Sequence, residues 1–380
     1  MTEPMFFEEI KEWSERKLNI LKKYLEGATK ILGGRGLVYY VDGFAGRGWY
    51  GKEGEPQTPG SPLQAAQLAQ QYQAEAKPYQ MRCINVESDP QRFQELVRAT
   101  TPYAHLVTNL PGAFASNIPR ILKDTGNYPV ICFLDPFGVD GMDWPDVQRL
   151  IARQGITDLW IRFDANEVRR RDGYYSQIGT TVGADKQFDI LTRVYGISNR
   201  DILHQQLQAP SQEARKQRAV DLYLERLRET FRRAKKQGYA EAYRIGSLKE
   251  QTKYYLVFAG ASAKGLVLAN DIVYGIEENY QRELERYKSP DQVSMFDLFD
   301  PTGEELFKSK VADLKNVIWQ VCKGESLTRR EIQARAIGRR FGIIKGPHMT
   351  QALKELKNEG VIVHSNGILS DDQTVFQFRP

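Results

Sequence analysis

The sequence predicts an α/β protein, a Rossmann-like and mostly parallel sheet closed by an antiparallel hairpin, followed by a C-terminal winged helix. Three observations carry this prediction. The runs 37–41 (LVYYV) and 130–134 (VICFL) are uninterrupted and apolar, as strands covered on both faces require. Each opens into a turn built from Gly or Pro and then into a helical pattern. Late in the chain, AEAYRIG and KYYLVFAG are strand-like runs separated by a short polar turn, which reads as a hairpin.

Taken in order, residues 5–32 form an amphipathic helix, with Phe6, Ile10, Trp13, Lys17, Leu21 and Tyr24 near one face. The first strand then ends at Asp42 and enters the glycine turn Gly43 to Gly48. Gly43, Gly46 and Gly48 are expected to leave backbone amides, beside Phe44, that a ligand can approach closely. The spacing G-x-x-G-x-G is not the G-x-G-x-x-G of dinucleotide folds. An acidic strand tip would repel a pyrophosphate and pair with the cationic methionine part of S-adenosylmethionine. The competing reading is a tight strand-to-helix turn with no ligand. The following GWYGKEGEPQTPGSP is too rich in Gly and Pro to be regular and is expected to overhang the turn as a lid, with a helix restarting at Pro62.

A second strand within 81–90 ends at Glu87, a candidate for both ribose hydroxyls, with Asp89-Pro90 starting the next helix. After a third strand at 103–108, Asn109 is placed to reach an adenine ring. The fourth strand ends in Asp135-Pro136-Phe137-Gly138, which resembles the D-P-P-aromatic loop of enzymes that methylate exocyclic amines. There, Asp135 and the Pro136 carbonyl would accept the amine hydrogens and localise its lone pair, while Phe137 stacks on the base. The second proline of that loop is missing, so the aromatic residue sits one position early. A fifth strand runs over 158–163, and residues 165–238 are an inserted helical cap larger than a parallel sheet requires. A terminal hairpin is what the class I methyltransferase sheet has and dehydrogenase sheets generally lack.

The boundaries expected are 1–290 for the sheet domain, 291–310 for a linker and 311–380 for the winged helix. Met295, Phe296, Leu298 and Phe299 of the linker are expected to dock on the first domain or on a partner. In the tail, Thr328 caps a second helix and Pro347 starts a third, with VIVHSNGIL and TVFQFRP as the wing strands. The third helix would present Thr350, Gln351, Lys354 and Lys357 to a groove, with Arg339, Arg340 and Lys345 on the approach. Protein docking is the alternative use of such a module.

The N-terminal helix with Trp13, Lys17, Leu21 and Tyr24, the turn from Asp42 to Gly48, Gly60-Ser61-Pro62, the loop from Asp135 to Gly138 and the strand YYLVFAG together resemble the three-Cys-motif partner proteins, over roughly the first 300 residues. The resemblance implies a class I methyltransferase-like domain of a bacterial or phage-associated system. Its implied partner is a neighbouring protein with a three-cysteine, radical-enzyme-like motif. It implies no particular substrate.

Composition narrows the function classes. With 380 residues and 41% hydrophobic content, the chain can hold one large α/β domain and a smaller one. No apolar stretch reaches membrane-span length, and MTEPMFFEEI is unlike a signal peptide, so a cytoplasmic location is expected. Cys83, Cys132 and Cys322 show no C-x-x-C spacing, and the four histidines are scattered, so no metal site or histidine triad is expected. Residues 165–238 carry 15 Lys and Arg against 9 Asp and Glu, and residues 311–380 carry 11 against 7. Segregated basic charge of this kind suits phosphate contacts, although solvated ion pairs on the helix at 212–236 give the same count. Arg169, Arg170 and Arg171, followed by Tyr174 and Tyr175, form the best candidate cluster for nucleic acid. The function expected is S-adenosylmethionine-dependent methylation of DNA or RNA at a base amine. The alternatives are a non-catalytic, nucleic-acid-binding partner protein of the same fold and a small-molecule methyltransferase.

Overall fold

A computed structural model of the protein describes residues 11–32, 34, 36–51, 57–246, 252–288 and 301–380. Phe6, Ile10, the centre of the expected lid, and linker residues Met295, Phe296, Leu298 and Phe299 lie outside the described residues. The chain divides into two units, Met1–Ala261 and Ser262–Pro380.

The first unit is built on a seven-stranded sheet. Its strands are β1 (Leu37–Asp42), β4 (Gln80–Glu87), β5 (Val107–Pro111), β6 (Val130–Leu134), β7 (Thr157–Phe163), β8 (Tyr239–Gly246) and β9 (Thr252–Gly260), in the order β5-β4-β1-β6-β7-β9-β8. Pairs β1–β4, β1–β6, β4–β5 and β6–β7 are parallel, whereas β9 runs antiparallel to both β7 and β8. The sheet is thus mostly parallel with a reversed edge hairpin, as the sequence predicts. The apolar runs are explained by burial: every residue of β6 is buried, and Tyr39 and Val41 of β1 join one core cluster with Phe114, Ile118, Val147 and Tyr223. Val38 and Tyr40, one step out of phase, are buried on the opposite face.

The helices of this unit are α1 (Glu12–Leu32), α2 (Ser61–Ala74), α3 (Pro90–Thr100), α4 (Phe114–Thr125), α5 (Trp144–Ala152), α6 (Ala165–Asp172), α7 (Ala184–Tyr195), α8 (Arg200–Leu207) and α9 (Gln212–Arg233). Asp89 caps α3, accepting from the Arg92 amide at 2.8 Å, as the Ser-Asp-Pro run predicts. The insertion after β7 comprises α6 to α9, and Ser211 caps the long α9. The expected irregular lid differs from the structure: Trp49–Tyr50 (β2) and Thr58–Pro59 (β3) form a short antiparallel ladder. Strands of two residues leave no periodicity for a sequence to display.

The second unit contains α10 (Ala263–Lys288), α11 (Pro301–Cys322), β10 (Ser326–Thr328), α12 (Arg329–Ile337), α13 (Gly346–Asn358), β11 (Ile362–Asn366) and β12 (Val375–Phe378). Its sheet is antiparallel in the order β10-β12-β11. Thr328 and Glu331 close a capping box on α12. The boundary expected near 290 is corrected to Ala261/Ser262, and residues 301–310 are helical where a linker was expected. Asn270 of α10 is tied to the tail: fully buried, it donates to the Ile344 carbonyl at 2.8 Å and accepts from the Gly342 amide at 3.0 Å. Among the described residues no helix is long and apolar enough to cross a membrane.

Candidate functional site

Strand order reverses at β1, whose neighbours β4 and β6 continue the sheet in opposite directions, and ligands of open α/β sheets bind outside the strand ends at such a switch point. A cavity of about 460 Å³ lies there. Its wall includes the turn after β1, Trp49 and Tyr50 of β2, Glu87, Gly112 to Ala115, Asp135 to Phe137 and Arg162.

The glycine turn has defined reasons for its glycines. A Cβ on Gly43 would come within 2.7 Å of Leu134 Cδ2 and 3.0 Å of Phe114, and Gly46 and Gly48 have φ of +63° and +92°. Its amides, however, are not bare. Gly43 donates to the Phe133 carbonyl (2.9 Å), Phe44 to Asp42 (3.2 Å), Ala45 to the Val86 carbonyl (2.9 Å) and Gly46 to Glu87 (2.8 Å). The expectation of an open amide cradle is thus corrected: buried amides must be paired, and here the neighbouring strands pair them.

Asp42 is also corrected. Its side chain is fully buried, accepting from Tyr40 Oη at 2.9 Å, Ser61 Oγ at 2.6 Å and the Phe44 amide at 3.2 Å, and it does not line the cavity. Burial pushes its pKa up to about 6, against the pull of those three donors. Asp42 therefore ties the β1 tip to the start of α2, and presents no open charge to a ligand.

Glu87 does line the cavity, at 6% exposure. One oxygen accepts from Gly46 and the other from the Asp89 amide at 2.8 Å, so two of its roughly four lone-pair sites are used by the backbone. Asn109 does not reach the cavity and its expected role is corrected. It lies within β5, accepting from Asn85 at 2.9 Å and donating to Thr100 Oγ1 at 2.7 Å. The wall beyond it is Gly112, whose φ is +96°, then Ala113 and Phe114, and the Phe114 ring sits 5.8 Å from that of Phe44.

Asp135, Pro136 and Phe137 all line the same cavity. Their chemistry differs from the expectation. Lys17 Nζ is ion-paired with Asp135 Oδ2, and Arg162 Nε lies 3.7 Å from Oδ1. Arg162 also donates to the Pro136 carbonyl at 2.7 Å. Both acceptors that an exocyclic amine would use already face a cation. Phe137 is 56% exposed at the rim, with the Arg92 guanidinium 5.5 Å above its ring. Lys17 and Arg162 were not singled out by sequence as site residues. The available signal was a lysine on the apolar stripe of α1: Lys17 is only 2% exposed.

The basic candidates fare unevenly. Arg170 and Arg171 are ion-paired with Glu167, and Arg171 also bonds Gln187. Arg169 is half-buried. Tyr175 stacks on His204 at 3.9 Å and donates to Asp201, so its ring is not offered to a base. This cluster fastens α6 to α7 and α8, which corrects its reading as a free patch. On α9, Arg218 pairs with Glu225, and Arg226 and Arg233 with Glu229. In the second unit Arg340 is paired with Asp313, Lys345 lies 4.5 Å from the Tyr274 ring, Lys357 donates to Ser365, and Lys354 is exposed. Thr350 is bonded to Arg329 and Gln351 to Glu355. The Arg339 side chain lies outside the described residues. Among the described residues, no group of His, Cys, Asp and Glu could hold a metal.

No family model and no curated protein matches the sequence. Solved structures match at low similarity. A Legionella pneumophila protein is 12% identical with a TM-score of 0.35, covering 65% of this chain and 84% of that one. A putative O-methyltransferase from Klebsiella pneumoniae is 10% identical with a TM-score of 0.33, covering 67% and 92%. An O-methyltransferase from Bacillus cereus in complex with S-adenosylhomocysteine is 11% identical with a TM-score of 0.31, covering 67% and 83%. At these values the likeness carries no argument about activity, and the strand order has to speak for the fold.

Proposed function

We propose that the first unit binds S-adenosylmethionine and transfers its methyl group to nucleic acid. Glu87 carries the cofactor reading. It is a carboxylate at the tip of the strand beside β1, fixed by two amides and lining the cavity, where Rossmann-like sheets accept ribose hydroxyls. The surrounding donor set fits a nucleoside with a neutral-to-cationic tail. Phe44 and Phe114 offer ring surface, and the glycine turn has its first four amides consumed, which disfavours a pyrophosphate. When bound, the cofactor supplies a methyl group activated by the sulfonium. The protein's own residues supply position: Glu87 would fix the ribose, the glycine turn keeps the wall close, and Trp49 and Tyr50 of β2 add to the lining.

Two features support nucleic acid as acceptor. Phe137 offers an exposed aromatic ring at the cavity rim, beside an Arg92 guanidinium that itself lies 4.0 Å from Glu87 and 3.7 Å from Asp89. Read as a winged helix, the second unit offers α13, on which Lys354 is exposed. One observation favours the non-catalytic alternative: Lys17 and Arg162 already occupy Asp135 and the Pro136 carbonyl. Calorimetry with S-adenosylmethionine beside NAD, followed by tritium transfer to mixed DNA and RNA, separates these readings. Binding of S-adenosylmethionine alone, weakened roughly 10-fold or more in Glu87→Gln, is expected, because hydrogen bonds to a charged group contribute about 1.5–3 kcal/mol. Label entering nuclease-sensitive material supports the transferase. Binding without transfer supports the non-catalytic partner, and preference for NAD overturns the cofactor assignment. The three-cysteine-motif protein enters as a proposed partner, to be tested by co-purification.

A further inference from the structure

We propose that Asp135 and Arg162 receive the amino-acid end of the cofactor, its ammonium at Asp135 and its carboxylate at Arg162. The loop after β6 then binds the methyl donor, and the acceptor is presented by other residues. This assignment rests on the reading that the cavity takes S-adenosylmethionine.

The amino-acid end of that molecule, its ammonium and carboxylate taken apart from the sulfonium, is a zwitterion, and it needs an anion and a cation on the wall a few ångströms apart. The first four amides of the glycine turn, those of Gly43, Phe44, Ala45 and Gly46, are spent on the protein, and the Asp42 carboxylate is fully buried. Asp135 and Arg162 both line the cavity with 19% of each side chain exposed. Their nearest atoms, Oδ1 and Nε, stand 3.7 Å apart, beyond hydrogen-bonding distance, so the pair is poised but not closed.

Each charge is held from behind by an opposite one. Lys17, nearly buried, fixes Asp135 Oδ2, while Asp164 Oδ2 lies 3.4 Å from Arg162, whose guanidinium also rests 4.8 Å from the Tyr254 ring. The four side chains sum to zero charge. A zwitterion, itself neutral, can enter without leaving a buried charge unpaired, which a simple anion or cation could not do. The same pairs explain why the loop departs from the amine-methylating pattern: cations at Asp135 and at the Pro136 carbonyl draw away the electron density that an amine acceptor requires.

The test is calorimetry on the full-length protein with two probes, S-adenosylhomocysteine and 5′-methylthioadenosine. Both carry the adenosine and the thioether, and only the first carries the amino acid. Wild type should bind S-adenosylhomocysteine at least about 10-fold more tightly. Asp135→Asn and Arg162→Gln should each remove most of that preference while changing 5′-methylthioadenosine affinity less than about 3-fold, which also certifies the fold. Arg162→Lys, which keeps the charge, should recover part of the preference. Equal weakening of both probes, or an unchanged preference in both variants, overturns the assignment while leaving the cofactor reading intact. Failure of wild type to bind either probe brings down the cofactor reading itself, and this assignment with it.

Discussion

Carboxylates in the first unit show how burial decides what an acidic residue does. Glu87 keeps contact with the cavity, whereas Asp42 is buried with three donors around it. Asp158 on β7 is the costlier case: at 3% exposure it accepts from Tyr24 Oη at 2.8 Å, while its Oδ1 has no hydrogen-bond partner. Burial raises its pKa to about 6. Below the unfolded value of about 3.9 both states hold the proton. Between that value and 6 only the folded state does, so stability falls as pH rises through this window and the cost is complete above it. Asp158→Asn should therefore gain stability relative to wild type between pH 4 and pH 7, by about 2 kcal/mol. Urea melts at the two pH values measure it, and an equal difference at both would show that Asp158 is not the titrating group.

At the scale of elements, the site is made by turns at the ends of strands. Gly43 lets the turn after β1 press against β6 and α4. In Gly43→Ala the new methyl would meet Leu134 and Phe114, and the neighbours would have to shift. Overpacking of this kind costs about 1–3 kcal/mol, and the same shift should weaken S-adenosylhomocysteine binding several-fold. A variant with wild-type melting temperature and affinity would show that the close approach is dispensable. The sequence marked this turn, the strand tips and the caps at Asp89 and Thr328, because glycine, proline and capping side chains act within a few residues. It misplaced Asn109, because its side-chain partners, Asn85 and Thr100, lie on β4 and α3, which only sheet pairing brings beside it. The arginine run on α6 was misjudged for a related reason: Glu167 lies one turn earlier and Gln187 on the next helix, and both quench it.

At the scale of the whole molecule, charge is distributed so that much of the basic surplus is already paired. Arg218, Arg226, Arg233 and Arg340 all have carboxylate partners. Nucleic-acid affinity, if carried by the second unit, should depend on α13, where Lys354 and Lys357 are exposed. Replacing each with Ala should weaken duplex binding across sequences and lower the slope of log affinity against log salt by about 1 per lysine. An unchanged slope in the double variant would move the contact elsewhere or favour protein docking.

Taken alone, the sequence determined what local pattern controls: the parallel strands and their ends, the reversed hairpin, the helix caps, and Glu87 and Asp135 at strand tips. The tertiary structure decided which charges meet. Lys17 and Asp135 are 118 positions apart, and the Asp42 carboxylate is closed off by Ser61, 19 positions on. Side-chain period and turn chemistry act over one or two turns of chain, but the protonation, pairing and exposure of a carboxylate depend on every group packed around it.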